Sequence, residues 1–367
     1  MPDARVPTYW DYLKLDRLLA LQTGLGDDDA ALASDELHFI VVHQVYELWF
    51  KLVLRELRLA RDHLAAPRVP EETVPHVVHH LGRINEILQL AVDQFRVMET
   101  LTPQDFLDFR DKLTPASGFQ SFQMREIEVL LGLDDSDRVA DARAALSHLK
   151  TQATATPAGR LALERIDAAR GETTLRAALH DWLYRTPIEG SGPQDAGDAQ
   201  VVDAFLAAYV ASLEREQQAQ VERVLATQGG DAAAVRSRVA DTTRQARDFL
   251  LGQDVPAGAR ARTRRIRAGL LFVESYRELP LLAWPRLLID TIVEMEEQLV
   301  LWRTRHARMV ERTIGRRMGT GGSAGVDYLD QTARYRIFTE LWAVRTLLLP
   351  RRALPPLRNA EAYGFAR

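Results

Sequence analysis

Apolar positions recur along this chain at three- and four-residue steps, the spacing of one helical face, and convincing two-residue alternation is hard to find. The pattern predicts an all-α fold. After a polar stretch from Gly24 to Asp29, Ser34 or Asp35 is placed to cap a helix running to about Leu64. Its first half, Leu37 to Phe50, is apolar almost all round, which predicts burial on every side; its second half turns Arg55, Glu56, Arg58, Arg61 and Asp62 toward water. Further helices are expected from about Pro70 through Met98, from Leu101 past Phe109, and from Phe119 to Leu131, with a turn at Thr114 to Gly118. Between about Asp134 and Arg262 the composition shifts toward Ala, Asp, Arg, Gln and Gly. That stretch reads as a helical excursion on one fold of residues 1–367, with a loop at Gly190 to Gly197, a charged amphipathic helix over Val201 to Leu225, and a break at Gly229-Gly230. A basic helix from Thr263, a long helix over about Pro285 to Ile314, a glycine-rich loop at Gly319 to Gly325 and a last helix over roughly Tyr335 to Leu349 complete the chain.

Composition narrows what such a fold can do. With 46% hydrophobic and 27% charged residues among 367, the chain has the makings of a soluble protein with a sizeable core. A net charge of −4, spread rather than blocked, gives no strong attraction to nucleic acid or to a membrane surface. No uninterrupted apolar run reaches the ~18 residues of a membrane span, and Met1 to Val6 lacks a secretory pattern, so the cytoplasm is expected. Cysteine is absent, which removes disulfides, thiolate metal sites, iron–sulfur clusters and cysteine nucleophiles together.

Four features are candidates for chemistry. His43 lies midway along the most apolar helix, with Phe39 and Glu47 one turn to either side on the same face; it is either a core histidine with a satisfied ring or the lining of a cavity. His306 sits among arginines and by itself reads as a surface residue, yet Trp302 one turn earlier offers the flat apolar platform that suits a single axial haem ligand. Arg110, between Phe106, Phe109 and Asp111, is either a carboxylate fork or half of a salt bridge. The loop Gly319 to Gly325 brings backbone amides and the Thr320 hydroxyl to a ligand or is a plain connector; it is not a Walker loop. His76, His79 and His80 form a weaker rival, a helical histidine pair without a matching carboxylate. Serine hydrolysis lacks support, because no strand is expected to carry a nucleophile elbow.

Taken in order, five blocks resemble the tryptophan 2,3-dioxygenase family: Tyr9 to Leu15, Asp35 to Lys51, Asp108 to Arg110 with Ser117 to Ser121, Leu301 to Arg303 with His306, and Gly319 to Ser323. The excursion, including Trp182 to Pro187, and Phe106 are similar to the longer, animal-type members. The resemblance implies a haem b with His306 as axial ligand of its iron and with Trp302, Ser117 and Gly118 at its border. It implies that His43 accepts a hydrogen bond from the indole N–H of L-tryptophan, with Phe39 and Phe106 walling the indole, Arg110 on the carboxylate and Thr320 on the polar end. It further implies a homotetramer in which Tyr9, Tyr12 and Leu13 complete a neighbour's site. Two positions depart from the family pattern: Ser34 stands where histidine is usual, and Trp10 where glycine is usual. Two other readings stay beside the dioxygenase: a relative inserting one oxygen atom into a substituted tryptophan, and a helical scaffold that has lost haem.

Overall fold

The computed structural model describes residues 8–116, 118–138, 154, 156–228, 231–320 and 325–364. Among them there is no strand, only one isolated bridge between Ile188 and Ser191. Three long helices frame the interior: α3 (Glu36–Ala65), α4 (Val74–Met98) and α12 (Ala283–Ile314). α3 and α4 form a hairpin, and α12 packs along α4. Around them lie α1 (Tyr9–Leu13), α2 (Leu15–Leu18), α5 (Pro103–Leu113), α6 (Phe122–Leu131), α7 (Pro157–Arg170), α8 (Leu175–Arg185), α9 (Asp198–Gln228), α10 (Ala232–Leu250), α11 (Arg260–Ser275), α13 (Val326–Thr332) and α14 (Thr339–Thr346).

Local chemistry sets the short helices that reach the interior cavity. Thr102 caps α5 by accepting from the Asp105 amide at 3.2 Å, with Pro103 at the first helical position, where its missing N–H costs nothing. Ser121 caps α6 in the same way through the Met124 amide at 3.3 Å. The start of α14 is satisfied from another helix: the buried Glu296 carboxylate of α12 accepts from the amides of Ile337 and Phe338 and from the Trp342 indole N–H. This is why the last helix begins at Thr339 and not at Tyr335 as its apolar spacing suggests. α1, α2 and α13 are helices the periodicity did not mark, each being too short to show a face.

Residues 156–250 are joined firmly to the frame. α8 packs between α3 and α11, burying Leu175, Ala178, Leu179 and Leu183. Glu172, just before it, takes Arg58 at 2.8 Å and Arg61 at 2.7 Å, both from α3. The break expected at Gly229-Gly230 lies outside the described residues.

The expectation that α3 is buried all round needs correction. Val42, Tyr46, Phe50, Val53, Leu54 and Leu57 are buried, but Leu37, Val41 and Leu48 are exposed on the opposite side. By length and composition alone α3 also meets the requirements of a membrane-crossing helix, although no uninterrupted apolar run does. The difference arises because averaging over a window dilutes Glu47 and Lys51 among their apolar neighbours.

Candidate active site

One cavity of about 250 Å³, counted as the space open to the centre of a water molecule, lies between α3, α4, α5, α6 and α12 and under the loop that follows α12. A single water needs only ~10–15 Å³ on that measure, so this is a built chamber and not a packing fault. α3 supplies Val42, His43, Tyr46, Glu47 and Phe50; α4 supplies Phe95 and Met98; α5 supplies Phe106 and Arg110. α6 adds Met124, Arg125 and Glu128, and α12 adds Trp302, Arg303, His306, Met309 and Val310. Gly118, Gly319, Thr320, Gly325 and Tyr328 close the rest.

His43 opens onto this chamber. Its Nδ1 lies 2.7 Å from the Phe39 carbonyl, one helical turn back, and a carbonyl can only accept. The neutral ring therefore carries its proton on Nδ1 and leaves the Nε2 lone pair free. Burial pushes the imidazole below its usual value, the Phe39 carbonyl and Glu47 oppose that, and His38 adds to it; the net direction is down, toward the neutral form.

His306 faces the same chamber from α12. The reading of a surface residue among arginines is overturned: Arg303 turns inward to Glu128, Arg305 and Arg308 turn outward to Glu99 and to Glu311 and Asp330, and His306 lies against Trp302 at 5.1 Å and Phe95 at 5.8 Å between ring centres. It has no hydrogen-bond partner among the described residues. Burial, followed by His43 and Arg125, lowers its pKa to about 4, so the ring is neutral at ordinary pH.

Arg110 has no acidic partner among the described residues, which removes the salt-bridge reading. It donates to the Met318 carbonyl at 2.6 Å, and its Nε is buried without a partner. The Thr320 hydroxyl donates to the Ala116 carbonyl at 2.5 Å, so the loop after α12 is tied to the end of α5 at two points. Gly325 closes that loop at φ +63°, where an added Cβ would stand 2.8 Å from the Arg317 carbonyl; glycine is needed there. An added Cβ at Gly118 meets nothing within 4 Å, so neither packing nor backbone requires glycine and its smallness leaves the chamber wider.

Beneath the chamber a buried ion cluster fixes α6 to α12. Glu128 is paired with Arg125 at 2.8 Å, Arg138 at 2.6 Å and Arg303 at 3.2 Å. Burial alone would raise its carboxyl; the three guanidiniums together bring it down to about 2. Arg125 keeps a buried Nε without a partner, as does the Trp302 indole Nε1.

The structure thus brings His43, Phe106, Arg110, Gly118, Trp302, His306 and Thr320 to one chamber. Phe39 stands behind that wall, its ring 4.0 Å from His43 and 5.9 Å from Phe106. Ser117 lies outside the described residues. Tyr9, Tyr12 and Leu13 are not at this chain's own chamber; they stand exposed on α1. His76, His79 and His80 lie on α4 away from it, and among the described residues no three or more histidine, cysteine or acidic side chains cluster to hold a bare metal ion. Sequence reading missed Glu47, Phe95, Arg125 and Glu128. The signal for Glu47 was its place one turn after His43; Arg125 and Glu128 carried only an i, i+3 charge pair, common on any exposed helix.

Comparison with known proteins was made on the whole chain. Residues 3–348 match the family profile described as tryptophan 2,3-dioxygenase. A protein of Ralstonia nicotianae named tryptophan 2,3-dioxygenase 2 is 49% identical over 98% of this chain and 98% of its own. One of Sorangium cellulosum, named tryptophan 2,3-dioxygenase, is 48% identical over 97% of this chain and 87% of its own. An animal relative of the same name, from Anopheles gambiae, is 36% identical over 96% of this chain and 88% of its own.

Proposed function

Because the chain belongs to the tryptophan 2,3-dioxygenase family, we propose that this chamber is where it adds dioxygen across the indole C2–C3 bond of L-tryptophan, giving N-formyl-L-kynurenine. The observation that carries the assignment of the site is two neutral imidazoles facing one cavity from different helices, one with a free Nε2 and one with no hydrogen-bond partner among the described residues.

The residues fit an iron porphyrin. His306 offers an uncommitted neutral ring, the walls at Phe50, Phe95, Trp302 and Val310 are apolar, and Gly118 leaves room. The buried, unpartnered Arg125 Nε and Trp302 Nε1 suit a flat apolar group bearing carboxylates. The chain has no cysteine to form a thioether, which agrees with the haem b that the resemblance implies. His306 would hold its iron, with Trp302 and Gly118 beside it. Haem, when bound, supplies the iron that carries oxygen and the redox chemistry of its activation.

The chain's own residues do the rest. Phe106, backed by Phe39, packs the indole and excludes water, which strengthens every polar contact inside. His43 takes the indole N–H on Nε2 and so fixes which ring edge faces the oxygen. Arg110 exchanges the Met318 carbonyl for the substrate carboxylate, a charged and therefore stronger acceptor. Thr320 holds the polar end of the amino acid and, through Ala116, closes the loop over it.

The exposed side of α3 supports assembly. Leu37, Val41 and Leu48 on α3 and Leu90 and Val97 on α4 form an apolar surface that another copy of this chain covers. Tyr9, Trp10 and Tyr12 of α1 are 70%, 63% and 79% exposed. In a homotetramer α1 reaches a neighbour's chamber, where Tyr9, Tyr12 and Leu13 complete the wall. Isotopically labelled O2 tests the reaction: both labelled atoms enter the product of a dioxygenase, whereas a single labelled atom would point to monooxygenation and none to an inert scaffold.

A further inference from the structure

Glu47 is an unexplained carboxylate in the chamber wall. It lies one helical turn after His43 on the same face of α3 and lines the same cavity. Among the described residues no arginine or lysine pairs with it. Its one ligand is the buried Gln123 amide of α6, whose Nε2 donates to the Glu47 carboxylate at 2.8 Å and to the Glu47 carbonyl at 2.7 Å. A neutral amide holds the carboxylate in place without cancelling its charge, and in an apolar chamber that charge is felt strongly by the nearest imidazole.

We propose that Glu47 is a positioning residue acting through His43, its fixed negative charge making Nε2 a stronger acceptor for the indole N–H. This rests on the reading that His43 takes that proton donor. Other charged or titratable groups face the chamber, Arg110 from α5, Arg125 and Glu128 from α6, and Arg303 and His306 from α12; His38, outside the lining on α3, also acts on the His43 ring. Glu128 is already shared among three arginines, so Glu47 is the carboxylate whose charge is not answered locally. The effect belongs to substrate binding and grows as the indole gives up electron density and its N–H becomes more acidic.

The test compares L-tryptophan with its benzofuran analogue, in which oxygen replaces the N–H, by spectroscopic titration of the haem-loaded enzyme. Glu47→Gln keeps the size of the side chain; full haem loading and an unchanged circular dichroism spectrum show that it folds. It is expected to weaken tryptophan binding roughly three- to tenfold, as for a weakened hydrogen bond, while leaving the benzofuran analogue unaffected. Glu47→Asp, which keeps the charge but withdraws it, falls between, and serves alone if the glutamine variant does not fold. Should His43→Ala abolish the preference for tryptophan while both Glu47 variants retain it in full, the inference about Glu47 is wrong. If His43→Ala also retains it, the assignment of His43 has failed instead.

Discussion

Arg110 shows how a single side chain divides between structure and substrate. It is neither exposed nor ion-paired, and its one described bond is to a backbone carbonyl that a carboxylate outcompetes. Arg110→Lys keeps the charge and loses the fork, so KM for tryptophan is expected to rise more than tenfold with a smaller change in kcat, as steady-state kinetics will show. His43 makes a prediction about pH. In the proposed role it accepts a hydrogen bond in its neutral form, and burial lowers its pKa below the usual 6.5. Acid therefore removes activity only when pH falls through that lowered value. A profile of kcat/KM should hold its level through pH 6.5 before declining; a profile already down to half its plateau at pH 6.5 would show an unperturbed imidazole.

At the scale of elements, the site depends on how α6 and α12 are locked together. Glu128 joins Arg125 and Arg138 to Arg303 in the interior, and removing one partner of such a cluster leaves uncompensated charge. Glu128→Gln is expected to lower stability by about 3–5 kcal/mol, read from the denaturant midpoint, with haem loading weakened too. Because the folded carboxyl titrates near 2 and the unfolded one near ~4.3, this contribution is full above pH 4.3 and is lost as pH falls toward 2. Much of this level was legible in the sequence. The apolar stretch from Leu37 to Phe50, the charged half that follows and the cap at Ser34 or Asp35 marked α3, and Ile314 marked the end of α12. His306 was not legible from its surroundings, because neighbouring arginines look alike whether they point to water or, as Arg303 does, to a buried acid. Only resemblance gave it weight. α13 was invisible because its seven residues show no complete helical face.

At the scale of the whole molecule, the proposed unit is an assembly of several chains. The apolar stretch of α3 was read from sequence as buried, and in a single chain Leu37, Val41 and Leu48 stand exposed; in the proposed assembly other copies cover that outer side. Native mass spectrometry is expected to give four chains of 41.4 kDa. Leu48→Arg, on the exposed side, should disrupt that assembly, and activity should fall with it because α1 no longer reaches a neighbour's chamber. A monomeric variant with full activity would separate assembly from the site.

The two histidines facing one cavity remain the centre of the account, and haem uptake tests them most directly. Ferric haem titrated into the haem-free protein, followed by the Soret band, should saturate at one per chain in the wild type and fail to do so in His306→Ala. Full retention of haem in that variant, with an unchanged Soret band, would contradict the assignment of His306 as ligand and with it the orientation of everything else in the chamber.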